Sequence, residues 1–139
     1  MTKIKAISLF SGAGGMDIGF LRAGVEILWA NDFDKNACET YKRNIGDHIV
    51  CGSILDIDYN SLPECDLVFG GPPCQGFSVA GKMDKNDPRS KLIFAFQDVV
   101  AAKRPRYFVM ENVAALAKLD KFADIRERLF SRYQDMGYN

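Results

Sequence analysis

Short apolar runs alternate with helix-length segments along the chain, and this alternation constrains its fold more than any other feature. Residues 4–10 (IKAISLF), 25–31, 48–51, 66–70 and 107–111 read as strands. Near-continuous apolar runs of this length suit strands covered on both faces. Residues 16–23, 34–44, 91–102 and 119–136 read as helices, the last of them amphipathic. Gly24 stands where a helix C-terminus takes a residue tolerant of positive φ. An irregular segment covers 56–62, and 74–90 has no clear period but is rich in Gly, Pro, Asn and Asp. A structureless stretch of that length inside a compact domain is most often functional. Strand–helix alternation predicts a mostly parallel sheet with helices on both faces. Right-handed crossovers then make it a doubly wound, Rossmann-like α/β fold.

With 139 residues the chain is long enough for one domain but short for a complete two-substrate enzyme. Lys and Arg total 18, as do Asp and Glu, so no overall basic field announces a nucleic-acid partner. The locally basic stretches, 82–91 and Lys103, Arg104 and Arg106, read as solvated faces. No apolar run approaches the length of a membrane span. The start, MTKIKAISLF, enters a strand without the features of a signal peptide, so the chain is expected to stay in the cytoplasm. Its four cysteines are Cys38, Cys51, Cys65 and Cys74, with no C-x-x-C pair and His48 as the sole histidine. Neither a metal site nor disulfides are expected. Cys38 on its helix and Cys51 on its strand read as small buried hydrophobes; Cys74 does not.

Three segments carry chemistry. Phe10-Ser11-Gly12-Ala13-Gly14-Gly15 follows a strand and opens a helix. Its glycines permit a tight turn whose backbone N–H groups can meet a ligand, although the spacing is not the G-x-G-x-x-G of dinucleotide binders. Asp32 comes 20 residues after Gly12, at the end of the second strand, where an acid accepts bonds from ribose hydroxyls. Phe33 beside it can stack on an adenine or join the core. The second segment is Gly70-Gly71-Pro72-Pro73-Cys74-Gln75-Gly76-Phe77-Ser78, where prolines stiffen a turn at a strand's carboxyl end. A cysteine there is poorly placed for core duty, and no neighbouring histidine offers a protease-like base. The third is Met110-Glu111-Asn112-Val113, where Glu111 sits on the same rim of the sheet as Cys74 or caps the next helix.

FSGAGG, GGPPCQGFS and ENV, in this order and at these separations, resemble the DNA cytosine-5 methyltransferase family. The likeness extends to Asn31-Asp32-Phe33-Asp34 and to Asp87-Pro88-Arg89-Ser90-Lys91-Leu92, and so covers nearly the whole chain. The resemblance implies S-adenosylmethionine as methyl donor, held by Phe10, Ser11, Gly12, Gly14, Gly15, Asp32, Phe33, Ser53, Ile54, Pro73 and Leu92. It implies that Cys74 attacks C6 of a cytosine while Glu111 holds the base edge near N3 and the amino group. A cytosine flipped out of double-stranded DNA is the implied substrate. Gln75, Gly76, Ser78 and Arg89 belong to the loop that closes on it.

Two departures stand out. The family has Asp where Ser53 follows Gly52 here, a residue that contacts the adenine amino group. The family also continues into an arginine-bearing segment, a DNA-recognition domain and a C-terminal return segment, which residues 1–139 do not include. The chain is therefore expected to be the N-terminal part of a methyltransferase domain. It is either a piece of a larger enzyme or one subunit of a split enzyme completed by a second chain. A relative acting on tRNA and a cofactor-binding protein without catalysis remain alternatives.

Overall fold

The computed structural model describes residues 2–73 and 90–139. Among them the sheet consists of β1 (Lys5–Leu9), β2 (Glu26–Asp32), β3 (Ile49–Cys51), β4 (Leu67–Gly70) and β5 (Tyr107–Met110). All its pairings are parallel, in the order β3-β2-β1-β4-β5. The central strands explain their apolar sequences: every residue of β4, and every residue of β1 after Lys5, is buried. From β1 the chain winds outward to β3, then returns to β4 and winds the other way. The order therefore reverses between β1 and β4, where a doubly wound sheet opens a crevice beyond its strands' carboxyl ends.

Successive strand residues point to opposite faces, and each face has its own helices. On one face Ala6, Ile27, Leu67 and Phe69 pack with Met16 and Phe20 of α1 (Gly15–Arg22). The Phe20 and Phe69 ring centroids there are 4.1 Å apart. Beside α1 on this face, α2 (Lys35–Asn44) sets Cys38 and Tyr41 against Ala30 and Ile49. On the other face Ile7, Leu9 and Val68 meet Ile93, Phe96 and Val100 of α3 (Lys91–Lys103). Leu129 and Tyr133 of α5 (Ala123–Asp135) complete that layer, with Tyr133 stacked on Phe108 at 4.1 Å. The expected doubly wound α/β architecture is the one observed.

Two expectations need correction. Residues 119–136 do not form one helix: a short α4 (Ala114–Lys118) comes first, then a 3-10 turn (Asp120–Phe122), and α5 begins at Ala123. Leu119 is the corner, with extended backbone (φ −87°, ψ 134°). Arg126 holds it by donating from Nη1 to the carbonyls of Leu116 (2.9 Å) and Leu119 (2.7 Å). The Leu116 carbonyl lies in the last turn of α4, where no intrahelical donor remains for it, and the Leu119 carbonyl also accepts the Phe122 N–H (3.0 Å). The second correction concerns Cys51, which is exposed rather than buried because β3 is an edge strand; Cys38 is buried as expected. The irregular 56–62 segment overlaps two 3-10 turns, Ile54–Asp56 and Tyr59–Ser61, capped by the side chains of Ser53 and Asp58. No described helix is long and apolar enough to cross a membrane.

Candidate functional site

The site begins where the chain leaves β1. Phe10 has φ 51°, a left-handed conformation costly for an aromatic residue and tolerated where surrounding contacts enforce it. The next residues form those contacts. Ser11 N–H donates to the Asn31 carbonyl (3.0 Å), and Gly14 N–H to the Ser11 carbonyl (3.0 Å). Gly12, at φ 57°, donates its N–H to Oδ2 of Asp32 (2.8 Å). Oδ1 of Asp32 accepts from the Asp34 N–H (2.9 Å). Backbone amides on two sides thus fix the carboxylate. Each of its oxygens keeps a further acceptor position for a ligand hydroxyl.

Glycine is required at position 14 for a different reason. At φ 96° a Cβ would lie 2.1 Å from Cδ1 of Ile45 and 3.0 Å from the Tyr41 ring, so the bare backbone lets the turn pack on α2. A Cβ at Gly12 or Gly15 would meet nothing within 4 Å.

Beyond the strand ends lies a cavity of about 360 Å³, within the range that accepts small-molecule ligands. Phe10 contributes from the end of β1, and Asn31, Asp32 and Phe33 from the end of β2. Gly52, Ser53 and Ile54 line it after β3, Gly71 and Pro73 after β4, and Leu92 from α3. Phe33 is 74% exposed. A solvated aromatic ring beside an acid is suited to be covered by a planar, hydroxyl-bearing ligand. Ser53 Oγ accepts the Leu55 N–H (3.2 Å), which leaves its hydroxyl hydrogen to donate elsewhere.

Of the residues singled out from sequence, the structure gathers Phe10, Asp32, Phe33, Ser53, Ile54, Pro73 and Leu92 around this one cavity. Ser11, Gly12, Gly14 and Gly15 form the adjoining turn rather than the cavity lining. Cys74, Gln75, Gly76, Ser78 and Arg89 lie outside the described residues. Sequence reasoning passed over Asn31, Gly52 and Gly71 as wall residues. Asn31 is buried and its Nδ2 donates to the carbonyls of Val50 (2.8 Å) and Gly52 (3.0 Å), tying the end of β3 to β2. The signal was present: an amide ending an apolar strand needs buried partners.

A carboxylate approaches the cavity's far wall. Glu111 N–H extends the β4–β5 ladder by donating to the Gly70 carbonyl (2.9 Å), and Asn112 Nδ2 donates to the Pro72 carbonyl (2.9 Å). Oε2 of Glu111 lies only 2.7 Å from where a Cβ on Gly71 would stand. Glycine at 71 therefore makes room for the carboxylate over the turn that leads, through Pro73, into Cys74.

The C-5 cytosine-specific DNA methylase family matches residues 4–139 of this sequence. The chain belongs to that family. Among similar C-5 methylases and other relatives, the Type II methyltransferase M.NgoFVII of Neisseria gonorrhoeae is 44% identical, over 98% of this chain and 37% of its own length. M.AquIA of Picosynechococcus sp., also a Type II methyltransferase, is 45% identical over 84% of this chain and 51% of its own length. A solved putative DNA modification methyltransferase encoded within a prophage, from E. coli, superposes with TM-score 0.80 at 29% identity, covering 96% of this chain and 38% of that one. The S. pombe Dnmt2 methyltransferase gives TM-score 0.67 at 25% identity, over 93% and 42% of the two chains. This methylase-family chain thus spans about half or less of the relatives it matches.

Proposed function

We propose that residues 1–139 are the cofactor-binding and nucleophile-bearing part of an enzyme that transfers a methyl group from S-adenosylmethionine to C5 of cytosine in double-stranded DNA. One observation carries this reading. The cavity holding Asp32 and Phe33 shares its Gly71–Pro73 wall with the Glu111 carboxylate, and that wall runs directly into Cys74 in the sequence. Family membership and the methyltransferase neighbours support it.

The cavity suits the donor. Asp32 accepts from the ribose hydroxyls, Phe33 covers the adenine, and Ser53 offers a hydroxyl to the adenine edge in place of a carboxylate. The turn of Ser11, Gly12, Gly14 and Gly15 borders the amino-acid end, and Ile54, Pro73, Leu92 and Phe10 supply apolar walls. S-adenosylmethionine, when bound, supplies an electrophilic methyl group. The protein's own task is to make cytosine C5 a nucleophile. The Cys74 thiolate bonds to C6, and Glu111 stabilises the base edge at N3 and the amino group as charge develops there. Once C5 carries the methyl group, loss of its proton to solvent lets the Cys74–C6 bond break and the thiolate leave. Such a pocket admits only a base turned out of the duplex, and Gln75, Gly76, Ser78 and Arg89 belong to the substrate side. The polypeptide that reads the DNA sequence lies beyond these residues, in the same chain or in a second one.

Amide chemical-shift mapping with S-adenosylmethionine tests the cofactor site. Gly12, Phe33, Ser53 and Leu92 are expected to shift on titration, while Tyr107 and Val109 on β5 stay unmoved. Shifts confined to α3 and α5, away from the strand ends, would overturn the assignment.

A further inference from the structure

A buried polar network stands behind the glycine turn and has no part in the chemistry above. Its centre is Asp17, in the first turn of α1 and fully buried. Burial pushes its carboxyl above the usual range. Ser8 Oγ of β1 donates to Asp17 Oδ1 (2.9 Å), and the Tyr41 hydroxyl of α2 donates to Oδ2 (2.6 Å). Tyr41 Oη lies 2.9 Å from His48 Nε2, and Ser8 Oγ lies 2.8 Å from Ser11 Oγ. Each hydroxyl has one hydrogen. Those of Ser8 and Tyr41 are engaged by Asp17, so Ser8 Oγ accepts from Ser11 at the shorter of that hydroxyl's two contacts, the other being the Ser8 carbonyl (3.3 Å), and His48 presents Nε2–H to Tyr41. Apart from that carbonyl contact the bonds point inward, from the glycine turn at one end and the sole histidine at the other, onto a single carboxylate.

The outer link touches the cofactor site. Ser11 fixes the turn through its own backbone, and the N–H of the next residue, Gly12, holds Asp32 Oδ2. We propose that Asp17 is a positioning residue for the S-adenosylmethionine site, acting through Ser8 and Ser11 on the Gly12–Asp32 bond, with His48 orienting it through Tyr41. This rests on the cofactor reading given above. A network that only stabilises the fold makes a different prediction: substitutions lower stability and leave the turn and its affinity unchanged. Satisfied buried networks do specify one local geometry, because breaking any link leaves its neighbours without partners.

The test uses this chain with Ser8→Ala, which breaks the link without touching the cavity. His48→Ala and His48→Gln serve at the half-buried outer end, where folding is least at risk. Two readouts are taken on folded protein: the Gly12 amide shift without ligand, and S-adenosylmethionine affinity by calorimetry. Ser8→Ala is expected to move the Gly12 amide and weaken binding about fivefold or more. His48→Ala acts in the same direction, and His48→Gln, which keeps a side-chain N–H donor, restores both. An unmoved Gly12 amide in both Ser8→Ala and His48→Ala would overturn the proposal. So would a His48→Gln variant that behaves like His48→Ala. If the parent chain binds no S-adenosylmethionine, the cofactor reading fails, and the Gly12 amide still decides whether the network positions the turn.

Discussion

Gly70→Ala is expected to abolish cooperative folding of the sheet. Gly70 ends β4 opposite Leu9 of β1, in the pair of strands at the sheet's centre. A Cβ there would lie 2.0 Å from the Leu9 carbonyl oxygen and 2.8 Å from its carbonyl carbon. These are backbone atoms of a strand hydrogen-bonded on both sides, so no side chain can swing away to relieve the clash. Overpacking a core usually costs about 1–3 kcal/mol where side chains can adjust. Here the cost should exceed about 4 kcal/mol, a large share of the roughly 5–15 kcal/mol that holds a domain together. Urea unfolding followed by circular dichroism measures it. Gly19→Ala is the contrast: it is exposed in α1, with nothing within 4 Å of the added carbon. A gain of about 0.5–1 kcal/mol is expected there from helix propensity. If Gly70→Ala unfolds at the parent's urea midpoint, the close β1–β4 approach is wrong.

Cys74→Ser is expected to eliminate covalent capture of cytosine and to lower methyl transfer by on the order of 10⁴-fold or more, as loss of an enzyme nucleophile does. An alkoxide-forming serine has no comparable supply of anion at neutral pH, whereas a thiol supplies a few per cent or more. The step can be trapped. With fluorine in place of hydrogen at C5 there is no proton to lose after methylation, so the Cys74–C6 bond persists. A 5-fluorocytosine placed in a mismatch lowers the cost of extrusion, which reduces dependence on a recognition domain. Peptide mass spectrometry should find the adduct on Cys74 in the parent and none in Cys74→Ser. An adduct on the exposed Cys51, unaffected by the substitution, would remove Cys74 from its role.

The fold was legible because the strands of this sheet write their burial into the sequence. Ala6, Ile7 and Leu9 of β1 and the run Leu67–Phe69 put buried apolar side chains on both faces, as the strands of a covered parallel sheet do. The position of Asp32 at the end of β2, 20 residues after Gly12, was equally legible, whereas the direct hydrogen bond from the Gly12 N–H to its carboxylate is seen only in the structure. What stayed hidden depends on contacts between distant residues. The corner at Leu119 is held by Arg126 from the next helix, so local periodicity started that helix at Leu119 rather than Ala123 and left out α4. Gly14 looked like part of a ligand turn, but its bare backbone is needed because of its φ of 96° and because Tyr41 of α2 and Ile45 just beyond it pack there. Asp17 was not singled out from the sequence, because its partner Tyr41 is 24 positions away. Exposure of Cys51 follows from the place of β3 at the edge of the sheet, which strand composition does not encode.

Calorimetric titration of S-adenosylmethionine into this chain, with Asp32→Ala beside it, tests most directly whether the cavity at the strand ends is a cofactor site. Saturable binding is predicted for the parent, weakened by on the order of tenfold in Asp32→Ala, about 1.4 kcal/mol. Circular dichroism should show both proteins equally folded. A folded parent that releases no heat, or an Asp32→Ala variant that binds as tightly as the parent, would contradict it.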